Sequence, residues 1–291
     1  MNRPMSEKRR NVTLIILVFV FFIFGPILIL SASGYSIMDI GSIIKLNLHK
    51  TGGIYISNIG NNSEVFLDGK VAGNSSFLER SILLQRLSPK VHIIEVEKDG
   101  FLGWSKEVSV YPNRVTEVRP VLVPENITAK KITDKNLIAT ISKILLKKIE
   151  STISTSTGVI IFEDNHTVLS IINKGNIKIE WLSADDTPQY MCLSGVCDPS
   201  MSITLAEKVT DLEWHPENSN GIISITSKGI YIVELDPRGS RIINKIISPS
   251  DLKLSSFDKA KLFEYKGDIY LKTADSFYEI IFSNEANDDA E

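Results

Sequence analysis

Excess charge of either sign is lacking in this chain: 32 Lys and Arg stand against 35 Asp and Glu, a net charge of -3 over 291 residues. Such a balance gives no electrostatic footprint for nucleic acid or another polyanion, and no such partner is expected. Histidine is also rare. His49, His92, His166 and His215 are scattered, and none stands at the His-x-x-x-His or His-x-His spacing that aims two imidazoles at one metal. There is no Gly-x-Ser-x-Gly elbow, Walker loop or glycine fingerprint after a strand. The expected protein is therefore not an enzyme and uses no metal or cofactor, with catalysis by an unrecognised constellation as the alternative.

Uncharged sequence, by contrast, is abundant near the start. From Asn11 to Met38 only Asp39 beyond it ends a charge-free stretch, and "VTLIILVFVFFIFGPILIL" is long enough to cross a ~30 Å hydrocarbon core as a helix. The Gly25-Pro26 pair interrupts this run without overturning it, because neighbouring groups can re-satisfy a kinked backbone. Arg3, Lys8, Arg9 and Arg10 precede the run. The positive-inside rule puts this end in the cytoplasm and everything after about Ser33 outside, so the lipid bilayer is the first expected partner. A cleaved signal peptide is the rival reading, since Ser31–Ser33 offers small residues for cleavage, but the run exceeds the usual ~7–15 residues of that class.

Export gives the two cysteines a meaning. Cys192 and Cys197 sit in "MCLSGVCDPS", where glycine and the Asp-Pro step favour a tight return, and an oxidising compartment allows the pair to close as a disulfide. Two ordinary thiols are the alternative.

The chain divides by pattern into a cytoplasmic end (1–11), a transmembrane anchor (12–32), a connector (33–52), a β module (53–124), a linker with a helix (125–150), a β-repeat domain (151–283) and an acidic tail (284–291). In the β module, "GIYISNI", "EVFLDGKV", "VHIIEVEKDG", "WSKEVSVYPN" and "VTEVRPVLVP" are short apolar alternations bounded by turn residues, which reads as antiparallel strands. Within the linker, Asp134 is placed to cap a helix whose Leu137, Ile138, Ile141, Ile144 and Leu145 form one apolar stripe. That stripe packs on a neighbouring domain or lies on an anionic membrane. In the repeat domain "INKGNIKIEWL", "TSKGIYIVEL" and "EYKGDIYLKT" each place Lys-Gly between two alternating runs. Three hairpins with Gly175, Gly229 and Gly267 at their corners are expected, in a propeller-like or partial-propeller arrangement.

With those residues in view, the β module resembles the PEGA domain, a small β-sandwich of exported prokaryotic proteins. "EVFLDGK", then "VEKDGFLGW" and the closing "VLVP" follow that family's order, so Lys98, Gly100, Phe101 and Trp104 are its signature here. The resemblance implies a mainly β protein: transmembrane helix, antiparallel sandwich, linker helix and β repeats. Its implied role is non-catalytic binding or scaffolding at the bacterial cell envelope, with cell-wall or surface-layer polymer or envelope proteins as partners. An envelope enzyme or accessory subunit acting on cell-wall glycan is the alternative. Asp68-Gly69 and Asp99-Gly100 are read as hairpin turns, not as a carboxylate pair. Phe101 and Trp104 are expected to cap the sandwich core, and Trp181 and Trp214 to pack between hairpins.

Overall fold

The computed structural model describes residues 7–32, 35–36, 49–151, 153–154, 160–163, 167–172, 175–183, 185, 187–193 and 196–282. The first six residues, most of the 33–52 connector and the acidic tail 284–291 lie outside the described residues. Two compact units emerge: residues 1–55, 83–92 and 109–116 form the first, and residues 56–82, 93–108 and 117–291 the second.

The first unit carries a helix over Glu7–Ala32, of which Lys8–Ala32 is long and apolar enough to cross a membrane. At ~1.5 Å per residue these 25 residues reach about 38 Å, more than a hydrocarbon core requires. Its Val, Leu, Ile and Phe side chains are exposed on every side, as lipid-facing groups are and core-facing ones are not. The helix runs through Pro26. The same unit holds most of a three-stranded sheet ordered Ile82–Leu87, Gly52–Ile56, Val115–Val118. Gly53 N–H bonds to the Arg114 carbonyl, and Ser57 N–H to the Val118 carbonyl, so the two strands advance together. That is the sense of a parallel pair, where the sequence pattern gave an antiparallel one, because alternation reports burial and not direction.

The second unit is built from four larger sheets and a helix. Its first sheet orders Lys70–Asn74, Ser63–Leu67, Val91–Lys98 and Trp104–Ser109. Residues Ser63, Val65, Val96, Trp104, Lys106 and Val108 turn to its buried face, in strict alternation. Three antiparallel sheets follow. The first orders Ile153–Ser154, Ile160–Glu163, Thr167–Ile172, Asn176–Trp181 and Ser200–Ile203. The next is a simple meander of Val209–Trp214, Gly221–Thr226, Gly229–Glu234 and Ile243–Ile247. In the last, Lys261–Tyr265, Asp268–Lys272 and Phe277–Ile281 are completed by Thr128–Lys131, which pairs antiparallel to the final strand. Part of the expected 125–150 linker is therefore sheet: its short "TAKK" run carries too little apolar alternation to reveal an edge strand.

Three hairpins stand where the Lys-Gly repeats predict them, but their corners differ. Lys266 and Gly267 both take positive φ, 56° and 91°, as a type I′ turn requires. Gly229 does not. It pairs with Thr226 as the first residue of the return strand, and a Cβ there would stand 3.2 Å from the Ile247 carbonyl on the next strand, besides displacing the movable end of Lys245. The tight backbone approach to that strand, not turn geometry, is what this glycine eases.

Helix Lys135–Ser151 begins where Asp134 Oδ1 accepts from the Asn136 N–H at 2.8 Å. Its stripe, with Ile141 and Leu145 buried, packs on Phe263, Tyr270 and Phe277 of the last sheet. Lys148 in its final turn donates to the Leu212 and Leu262 carbonyls and to Glu213 Oε2 at 2.7 Å. One ammonium thereby ties the opening strands of two sheets. Asp211 ties the same strands, its carboxylate accepting from the Leu262 N–H at 2.7 Å.

The Trp104–Ser109 strand is joined to the meander sheet by a buried ion pair. Lys106 Nζ lies 2.6 Å from Glu234 Oε2 and 2.9 Å from the Asp236 carbonyl, while the Trp104 indole N–H donates to Glu234 Oε1 at 3.1 Å. Both side chains of the pair are essentially inaccessible, at 0% and 1% exposure. Burial pushes the Glu234 carboxyl up, and the Lys106 charge and the two donors oppose it. Breaking such a pair leaves an uncompensated buried charge. Lys106→Met is expected to cost about 3–5 kcal/mol, and adding Glu234→Gln to recover most of it. Urea denaturation of the detergent-solubilised chain measures both; a cost below about 1 kcal/mol for the single variant would contradict this role.

Candidate functional site

The Glu117–Pro120 segment, near the end of the β module, is held by side chains of three turns of the repeat region. Asn218 and Asn220 amides donate to the Pro120 and Arg119 carbonyls at 2.7 and 2.9 Å. Gln189 Oε1 accepts from the Glu117 N–H. Arg238 binds the Glu117 carbonyl at 2.8 Å and forks onto the Asp236 carboxylate. Beside this segment opens a cleft of about 920 Å³. Trp181, Tyr190, Trp214 and His215 supply its aromatic lining, and Glu117, Asp185 and Glu217 its carboxylates. Arg119 neutralises Glu117 across 2.7 Å.

Two groups in the wall are buried without a hydrogen-bond partner among the described residues: Tyr190 OH and His215 Nε2. The Glu217 N–H donates to His215 Nδ1, so the ring proton belongs on Nε2. Burial holds the His215 pKa down at about 4, and pushes the Tyr190 phenol up, with the Asp236 and Glu234 charges adding to it. A neutral imidazole is thus the form at physiological pH.

Cys192 and Cys197 face each other across two-residue strands and are joined by a disulfide. The clip directly follows the short 3-10 turn Gln189–Met191 and holds the loop that presents Gln189 and Tyr190 to the cleft. Of the other sequence-derived residues, Asp68 and Gly69 take φ of 50° and 75°, both central positions of a two-residue hairpin. The Asp68 carboxylate also accepts from the Ile93 N–H at 3.0 Å. Asp99-Gly100 is different: only Gly100 has positive φ, 76°, in a turn closed by Phe101 N–H to the Lys98 carbonyl. Phe101 and Leu102 then leave the sheet to pair with the Val123–Glu125 segment before the strand resumes at Trp104. Lys98 Nζ sits 4.3 Å above the Phe101 ring, and burial lowers its pKa.

The order Asp-Gly-Lys hairpin, Gly100 turn with stacked Lys98 and Phe101, and closing Val121–Pro124 segment is the observation that decides the module. Residues 51–126 match the PEGA domain. No curated protein matches the chain. The PEGA domain contributes Glu117 and Arg119 to the cleft wall, while its signature residues Lys98, Gly100 and Phe101 are absent from that wall. Trp104 is buried on the inner face of its strand and its indole N–H reaches Glu234, a longer-range contact that local pattern does not disclose. The cleft is not legible in the local sequence; Trp181 and Trp214, expected to pack between hairpins, line it. Among the described residues no group of three or more His, Cys, Asp or Glu is disposed to hold a metal.

His215 carries a sign-definite consequence. Its folded pKa of about 4 lies below the ordinary 6.5, so the unfolded chain binds a proton that the folded chain refuses. Stability from this group is complete above pH 6.5 and is lost as pH falls toward 4, by about 2 kcal/mol at pH 5. His215→Phe is expected to remove that part of the acid dependence in urea titrations at pH 7.5 and 5; an unchanged dependence would contradict the burial argument.

Proposed function

We propose that the chain is a membrane-tethered binding or scaffold protein of the bacterial envelope, with its PEGA domain and repeat sheets outside the cytoplasm. One observation carries this reading: a PEGA domain, a module suited to protein interaction, follows a helix long enough to span a bilayer in the same chain. Arg3, Lys8, Arg9 and Arg10 before that helix favour a cytoplasmic N-terminus. In this reading the three repeat sheets act as blades of a small propeller. The Thr128–Lys131 edge strand supports this, since it completes the last sheet with residues from the other end of the repeat region.

The partner is wall or surface-layer polymer, or another envelope protein. A non-catalytic role is favoured because the cleft's Asn218, Asn220, Gln189 and Arg238 are committed to holding backbone. The alternative, an enzyme or accessory subunit acting on cell-wall glycan, draws support from the concave cleft and its carboxylates. Protease added to intact cells is expected to remove the part beyond residue 33 and spare an N-terminal tag, and the purified chain to sediment with isolated wall or envelope fractions without releasing soluble sugar. Protection of the C-terminal part would overturn the topology. Sugar release that depends on Asp185 or Glu217 would favour the enzyme reading.

A further inference from the structure

The PEGA domain holds an exposed apolar turn that its own fold leaves unused. In "SSFLERS", the Ser76 N–H donates to the Glu79 carbonyl and the Glu79 N–H returns to the Ser76 hydroxyl, which sets Phe77 and Leu78 at the tip. They are 73% and 89% exposed. Both legs of the turn are fixed. Ser75 exchanges bonds with Ser63, its N–H donating to the Ser63 carbonyl and its hydroxyl oxygen accepting from the Ser63 N–H, and the Arg80 carbonyl accepts from the Ile59 N–H. The tip is thus a built presentation of two large apolar groups, with little ordering left to lose on contact.

We propose that this Phe77–Leu78 turn inserts into the surface of the bilayer that holds the N-terminal helix. The inference rests on the reading of that helix as a retained membrane anchor. Two side chains cover far less than the roughly 1,600 Å² that a specific protein interface buries. For a lipid surface the tether changes the comparison. Only 19 positions separate Ala32 from Gly52, which even fully extended reach about 65 Å. Insertion is then an intramolecular event at high effective concentration, and a small apolar wedge is sufficient. Phe and Leu suit the interfacial depth, and the flanking Glu79 and Arg80 cancel in charge, so an anionic surface does not repel the turn.

The test uses the full chain in phosphatidylcholine–phosphatidylglycerol vesicles. Leu78→Cys is labelled with an environment-sensitive fluorophore, the native cysteines being paired with each other. The expected result is a blue-shifted emission that loses about half its intensity when shallow spin-labelled lipid is included, as interfacial depth requires. The same label at Val196→Cys, an equally exposed site at 75%, is expected to stay unquenched. With the chain retained in the vesicles after alkaline carbonate, unquenched emission at position 78 overturns the turn's role and leaves the anchor standing. Blue-shifted but unquenched emission does so too, and points to a protein surface as the occupant. Release of the chain by carbonate overturns the anchor and the proposal together.

Discussion

A lysine ammonium with no access to water sits between the Glu234 carboxylate and the Asp236 carbonyl, and the arrangement of the PEGA strand against the repeat sheets follows from it. Neither charge could be buried alone, so the strand bearing Lys106 and the strand bearing Glu234 are viable only in register with one another. Trp104, two residues earlier on the same face, fills the remaining carboxylate valence with its indole N–H. Arg238 extends the network through Asp236 to the Glu117 carbonyl, which fixes the segment that walls the cleft. The cleft's geometry is therefore a property of the joint.

The same economy of attachment recurs deeper in the repeat region. Lys148 at the end of the linker helix and Asp211 on the meander sheet both satisfy backbone groups of the last sheet's opening strand. Apolar clusters fill the space between the sheets, with Ile223, Ile225 and Leu262 in one and Leu169, Ile179 and Leu212 in the other. Hydrophobic burial supplies most of the favourable energy, and the polar ties choose among ways of stacking similar sheets.

Local features were legible in the sequence. The charge-free run gave the helix, period-two alternation gave most strands of the PEGA domain though not Ile82–Leu87, and Lys-Gly steps gave three hairpins. Asp134 was readable as a cap because capping is decided within four residues. What alternation could not carry was strand direction, the recruitment of Thr128–Lys131 by the last strand, or the close approach of Gly229 to the Ile247 carbonyl of the next strand. Trp104 shows the limit most clearly. Its pattern on the strand announced burial, but the group that receives its N–H lies 130 residues further on. The cleft was equally hidden, since its wall is assembled from loops whose local sequences read as ordinary turns.

The central claim is that the PEGA strand and the repeat sheets unfold as one body because a buried ion pair couples them. Amide hydrogen exchange of the full chain in detergent, read across increasing urea, addresses it directly. The expected result is that protection of Trp104–Ser109 and of Gly221–Glu234 is lost together, at one free energy of opening. Loss of protection in Trp104–Ser109 at clearly lower urea, with the repeat sheets still intact, would contradict the account.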